Sequence, residues 1–271
     1  MKNFFIFLLF HRRMNCRNLF SSTRRCQAHP VKISRVAAIQ LKFHSFKSAR
    51  DFYKHILDIV KKAKNKGAQL VCFPQGMNLE FRPLPLKDMN ESQRKKFFEV
   101  YSNIFRDIAF NEKVYIEESK IRNGKFEGTI WTPQGEKVSG RVAKCGEESV
   151  YFSQFDSDFE EDINEKASLY LFPRFGHTAK KKSEISKAWL ASQQNYVFSV
   201  ESKLVGDYLN TKLRGRSGIY APLEITEFND GILAISDSLD EEEILVANLD
   251  FEALRELARS VTDDVYDRLL L

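Results

Sequence analysis

The sequence predicts a single-domain α/β protein built on a parallel sheet, and three observations carry that prediction. An apolar run, Val36-Ala37-Ala38-Ile39-Gln40-Leu41, is followed by an amphipathic stretch from Ala49 to Lys66 and by a second run from Leu70 to Phe73. That is the strand, helix, strand order of a βαβ unit. The 271 residues are 43% hydrophobic and 29% charged, which supplies one sizeable core and excludes disorder of the whole chain. No internal repeat or low-complexity segment interrupts the pattern.

The first strand is expected over Val36 to Leu41. In the helix that follows, Phe52, Tyr53, Ile56, Leu57, Ile59 and Val60 recur at helical spacing with lysines on the opposite face, and Gly67 ends it. Leu70 to Phe73 is the second buried strand. Phe73-Pro74-Gln75 closes it, so Gln75 stands at the carboxyl end of a parallel strand, where such sheets place their functional edge. After a polar stretch from Arg82 to Asn90, a second helix is expected from Glu91 to about Asn111, with Phe97, Phe98, Tyr101, Ile104, Phe105 and Ile108 on one face. Lys113 to Glu117 reads as the next strand. Lys125 to Trp131 and Lys137 to Ala143 flank the turn residues Thr132-Pro133-Gln134-Gly135, which predicts an antiparallel hairpin. Val150 to Phe152 reads as a strand, Phe159 to Lys166 as a short acidic helix and Leu169 to Pro173 as a buried strand. A helix over Ser183 to Asn195 leads into a strand from Tyr196 to Val200. Short strands follow at Gly218 to Tyr220 and Ile232 to Ile235, and the last at Glu243 to Leu249. Asp250 caps a terminal helix through Ala258, and residues 261–271 are expected to be a tail.

The formal net charge is +5, yet no Asp or Glu precedes Asp51, so the positive excess sits on a terminal arm and the remainder is slightly acidic. This distribution argues against a nucleic-acid-binding face, and Lys180-Lys181-Lys182 and Arg214-Gly215-Arg216 read as solvated loops. The apolar run from Phe4 to Phe10 is too short to span a bilayer, and acid-free, Arg- and Ser-rich sequence follows it. Residues 1–30 therefore read as a transit peptide for a mitochondrion, or a plastid, or else as a basic extension, with the folded domain over 31–260 and Met14 as an alternative start. Cys16, Cys26, Cys72 and Cys145 show no CxxC or His-rich spacing; neither a metal nor a cofactor is expected, and no disulfide framework.

Four segments, Val36-Ala37-Ala38-Ile39-Gln40, Gly67-Ala68-Gln69-Leu70-Val71-Cys72-Phe73-Pro74-Gln75, Ala167-Ser168-Leu169-Tyr170-Leu171-Phe172-Pro173 and Gln194-Asn195-Tyr196-Val197-Phe198, together resemble the carbon-nitrogen hydrolase, or nitrilase, superfamily. The match runs from Val36 to Leu271 and is similar in particular to nitrilase domains fused to acetyltransferases. The resemblance implies a four-layer α-β-β-α sandwich, often stacked in pairs. It also implies a Cys that attacks an amide or nitrile carbon, a Glu base and a Lys that stabilises the oxyanion. Here the base position is Gln75, and a carboxamide cannot take a proton near neutral pH. In Gln154-Phe155-Asp156-Ser157-Asp158-Phe159-Glu160-Glu161 the nucleophile's place is Gln154; the Lys position is Lys144, displaced by one residue, and an auxiliary Glu becomes Gln194. The stretch from Lys144 to Gln154 is also shorter than the family's.

These departures lead to the expectation of a chain that is not an enzyme. The role expected is that of a structural or interaction subunit of a larger mitochondrial assembly, with other protein subunits or a second copy as partners and no membrane span. The alternative is a divergent amide hydrolase with a relocated nucleophile such as Cys145, where the neighbouring Lys144 lowers the thiol pKa.

Overall fold

Strand β1 (Arg35–Lys42) has both faces buried: Ala37, Ile39 and Leu41 join one apolar cluster, while Val36 and Ala38 join another. Side chains alternate along a strand, so an unbroken apolar run means that both sides of the sheet are covered. The computed structural model describes residues 32–80, 89–122, 125–138, 142–152, 167–178 and 186–269, with the backbone alone at 122, 125–126, 152, 178 and 261–269. The presequence, the helix expected over 159–166, Gln154 and the 180–182 lysines lie outside the described residues.

On one side β1 pairs in parallel with β2 (Leu70–Cys72), and β2 with β3 (Tyr115–Arg122); β4 (Lys125–Trp131) and β5 (Lys137–Val138) continue antiparallel. The second half of the sheet runs through β6 (Val142–Cys145), β7 (Glu148–Phe152), β8 (Leu169–Phe175) and β10 (Phe198–Tyr208), after the short β9 (His177–Thr178). Beyond β10 lie β11 (Thr211–Arg214), β12 (Gly218–Tyr220) and β13 (Ile232–Ile235), while β14 (Glu243–Asn248) returns antiparallel to β1. The halves join where Leu41 and Lys42 pair with Leu204 and Val205.

Helices α1 (Ala49–Asn65) and α2 (Glu91–Glu112) cover the first half through Phe52, Ile56, Ile59, Tyr101 and Phe105. Helix α3 (Lys187–Asn195) covers the second half through Ala188 and Ala191 against Tyr151, Tyr170 and Phe172. A third apolar layer, with Leu70, Tyr115, Val150, Leu171, Phe198 and Val200, fills the space between the halves, and α4 (Phe251–Leu269) enters it with Phe251 and Leu254. The result is the four-layer α-β-β-α sandwich.

Local signals position these elements. Ser48 caps α1, and Asn90 forms a reciprocal capping box with Gln93 on α2. Gly67, at φ +90, ends the first helix as expected. Three expectations are corrected. The segment 137–143 divides, with β5 on β4 and β6 crossing to β7, because alternation fixes a strand's faces and not its partner. Strands β3 and β10 run on through Glu118-Ser119-Lys120 and Glu201-Ser202-Lys203, since these polar residues are buried, with Glu118 paired to Lys120 and Glu201 to Lys203. Helix α4 continues to Leu269 where a tail was expected after Ala258.

The turn before β13 rests on Gly231, at φ +73. A Cβ there would lie 2.6 Å from Gln193 Nε2 and 2.7 Å from Trp189 Nε1. Both groups are committed, Gln193 Nε2 to the Ala221 carbonyl at 2.9 Å and Trp189 Nε1 to the Asp230 carbonyl at 2.8 Å. Gly231→Ala is expected to cost about 3 kcal/mol, from a left-handed backbone and an overpacked contact together. A lower urea midpoint at unchanged slope checks it.

Candidate functional site

The layer between the two halves is apolar along most of its length and turns polar at the carboxyl ends of β1, β2 and β3. At the end of β1, Gln40 is fully buried and hydrogen-bonded on both its amide atoms. At the end of β2, Phe73 N donates to Glu117 Oε2 at 3.0 Å, and Ser202 Oγ donates to the Cys72 carbonyl at 2.8 Å, tying β10 to β2. Gln75 is 1% exposed. Its Nε2 donates to the Pro173 carbonyl at 2.6 Å, and its Oε1 has no hydrogen-bond partner among the described residues. Gly76, at φ +85, packs under the Phe175 ring, whose Cζ lies 2.2 Å from where a Cβ would stand.

Glu117 is the chemically loaded group of this corner. Burial pushes its carboxyl well above the usual range, the neighbouring Glu118 adds to the effect, and the Phe73 N–H opposes it. Its Oε1 has no partner among the described residues. The Cys72 thiol, one strand away, is raised well above its ordinary value by burial, then by Glu117 and by Cys145. On the other face of β3, Glu118 is held by Lys120 at 3.0 Å and Ser102 at 3.2 Å, and burial still outweighs both in raising its carboxyl.

The residues singled out from sequence do not all gather here. Gln75 does. Lys144 is exposed, on the face of β6 opposite to the buried Ala143 and Cys145. Cys145 lies in the inter-sheet layer, where burial pushes its thiol up to about 12. It is level with Glu148 at the start of β7, whereas Gln75 reaches Pro173 beyond the level of Phe152. Six residues of strand rise, roughly 20 Å along the sheet, therefore separate Cys145 from the Pro173 carbonyl that Gln75 reaches, while its thiol stays within electrostatic range of Cys72. Gln194 is exposed on α3, and its neighbour Gln193 carries the hydrogen bonds instead.

Sequence reasoning missed Glu117, although two adjacent glutamates in an apolar strand, Ile116-Glu117-Glu118, are a signal of buried acid groups. It also missed His44, His55 and Glu242, three potential metal ligands whose ligating atoms all lie within 4.8 Å of one another. They come from a loop, a helix and a second loop, so no sequence spacing announces them.

No protein-family model matches the sequence, and no curated protein matches it. Solved structures do. The chain is similar to an amidase from Nesterenkonia sp. AN1 in complex with butyramide, with a TM-score of 0.64 at 16% identity over 84% of this chain and 96% of that one. A second structure, described as an amidase of the nitrilase superfamily, gives a TM-score of 0.63 at 18% identity over 85% and 98%. A third is a variant of the amidase with glutamine in place of a glutamate, showing acrylamide added at the active-site cysteine; its TM-score is 0.63 at 16% identity over 84% and 99%.

These findings correct the expectation of a chain that is not an enzyme. The matched structures are of amidases, and one of them reacts at its cysteine while carrying a glutamine for a glutamate. Thiol addition in that variant shows that its cysteine still reacts beside a glutamine substitution, and this chain holds two buried free thiols, Cys72 and Cys145, so Gln75 alone does not exclude an enzyme. Among the described residues no helix is long and apolar enough to cross a membrane. The fold of this chain is that of the nitrilase, or carbon-nitrogen hydrolase, superfamily.

Proposed function

We propose that the chain is a thiol-dependent carbon-nitrogen hydrolase that cleaves small amides, with its site at the polar end of the inter-sheet layer. The observation that carries this reading is Glu117: a titratable group stands at the corner where Gln75 has none. Its carboxyl is buried, raised by that burial, without a hydrogen-bond partner at Oε1 among the described residues, and within electrostatic range of the Cys72 thiol. Buried groups with displaced pKa values are what acid-base catalysis needs.

In this reading the resting pair is a thiol and a carboxylic acid. In the ionised fraction, the Glu117 carboxylate takes the Cys72 proton as sulfur bonds to the amide carbon. The carbon-nitrogen bond then breaks, the amine leaves with that proton, and water hydrolyses the thioester. Gln75 holds the substrate, its free Oε1 accepting an amide N–H. The butyramide and acrylamide bound by the structurally similar amidase support a small aliphatic amide as substrate.

The test is ammonia release from butyramide and acrylamide. Turnover should climb with pH above neutrality, because Glu117 and Cys72 both ionise late, and Cys72→Ser and Glu117→Gln should each reduce it roughly 100-fold or more. Absence of turnover would sink the reading. One observation favours Cys145 as a second candidate nucleophile: its chain neighbours are the exposed Lys144 and the half-buried Gly146, although its own side chain is as buried as that of Cys72. Loss of activity in Cys145→Ser with retention in Cys72→Ser would move the nucleophile there.

A further inference from the structure

The loop after β1, helix α1 and the loop before β14 bring three ligating side chains to one point. Their nitrogen and oxygen atoms, one each from His44, His55 and Glu242, all lie within 4.8 Å of one another. The His55 Nε2 and Glu242 Oε2 atoms are 3.2 Å apart. Both are buried, and neither makes a hydrogen bond among the described residues. The two form an ion pair if the imidazole is charged, with side chains 21% and 28% exposed; if its lone pair faces the carboxylate, they are two acceptors that a shared cation would satisfy together.

The spacing says what group fits. Zinc bonds imidazole nitrogen and carboxylate oxygen at about 2.0–2.1 Å in tetrahedral geometry, which sets two ligand atoms about 3.3 Å apart. The His55 to Glu242 separation is close to that value. The surroundings hold the ligands in place as metal sites require. The His44 backbone N–H donates to Glu80 Oε1 at 2.8 Å, fixing the loop, and the His44 and His55 rings meet edge to face at 5.1 Å. Phe46 packs against both imidazoles, at 5.8 Å and 5.3 Å, and gives the site an apolar flank.

We propose that His44, His55 and Glu242 bind a divalent transition-metal ion, with Zn2+ as the best match. Two imidazoles and a carboxylate without a thiolate suit Zn2+ and its first-row neighbours, and three protein ligands leave a coordination position for water. The ion would clip together the end of β1, the middle of α1 and the entry to β14, three segments that are distant in the chain. Its binding energy would then appear as stability of the fold. Its ligands are distinct from Cys72 and Glu117, and metal binding is read without any measurement of amide cleavage.

The experiment is titration of the chelator-treated full-length chain with Co2+, followed by its visible absorption. A tetrahedral site should give a d–d band that saturates at one equivalent, is displaced by Zn2+, and is accompanied by a rise in melting temperature. His44→Ala and Glu242→Gln should each weaken binding by about 10-fold or more. Arg106→Ala, which removes an exposed ion pair with Asp107 on α2, should leave it unchanged. His44 is exposed, so its variant is expected to keep the wild-type circular dichroism, and loss of the band in a folded protein then reads the site itself. Binding that survives in both His44→Ala and His55→Ala, or no saturable band at all, would overturn the proposal.

Discussion

Gln40→Ala is expected to remove about 4 kcal/mol of stability. Gln40 is fully buried at the end of β1 and uses every hydrogen-bonding position that it has. Its Nε2 donates to the Ser238 and Glu241 carbonyls at 2.8 and 3.0 Å, and its Oε1 accepts from Ser217 N and Ser236 Oγ, both at 2.8 Å. One side chain thus joins β1 to the segment before β12 and to the whole connection between β13 and β14. Truncation strands two carbonyls and a hydroxyl and opens a cavity, and each buried orphan costs about 1–3 kcal/mol. Among the described residues, Ser217 N alone keeps a substitute, in Ser236 Oγ at 3.1 Å.

The exchange Gln40→Glu separates hydrogen bonding from volume. A carboxylate there would accept from Ser217 and Ser236 but would face two carbonyl oxygens with nothing to donate, so at neutral pH it should be as damaging as alanine. Acid should restore part of the loss, because a protonated carboxyl can satisfy one carbonyl. Denaturant midpoints of the two variants at neutral and acid pH measure this, and a Gln40→Glu protein as stable as wild type at neutral pH would refute the account.

Gln40 also shows what a sequence can and cannot disclose. Strands β1, β2 and β8 and helices α1 and α2 were legible because one property, apolar periodicity, decides them. Within those runs a Gln looks like an interruption of the apolar pattern, and its four partners lie from 177 to 201 residues away in the chain. The same blindness hid the continuation of β3 and β10. Glu118-Ser119-Lys120 and Glu201-Ser202-Lys203 read as surface until it is seen that Glu118 meets Lys120 at 3.0 Å and Glu201 meets Lys203 at 3.3 Å, all four enclosed. The candidate site follows the same rule. Gln75 was found because it sits at a motif position on a strand end, whereas Glu117 and the His44, His55 and Glu242 cluster depend on which strands and loops become neighbours. Lys144 was placed by motif register alone, and the β6 pleat turns it outward.

Stability should fall as pH rises above the ordinary carboxylate range, which is the reverse of the behaviour of a protein held by ionised acids. Burial is the first cause in each case that raises the carboxyls of Glu80, Glu117 and Glu118 in the folded chain, from 4.5 in the unfolded one. Above pH 4.5 the unfolded state releases these protons while the folded state keeps them. The folded state then binds more protons, and stability declines by up to about 1.4 kcal/mol per pH unit for each such group until its own folded pKa is passed. Below 4.5 both states are protonated and the full stability is present. His44 works the other way: burial and the nearby His55 lower its pKa, so its contribution recovers as pH rises toward 6.5. The decline reaches its full slope about one pH unit above 4.5, once the unfolded-state carboxyls have ionised, and His44 opposes it in the window below 6.5. Glu117→Gln is the discriminating variant, since the amide mimics the protonated acid at every pH. It should match wild type near pH 4.5, exceed it in the alkaline range by a margin that grows with pH, and lose amide turnover. Equal destabilisation of that variant at both pH values would mean that Glu117 is ionised and paired in the folded chain, and would remove it as a proton acceptor held ready at the corner of Gln75.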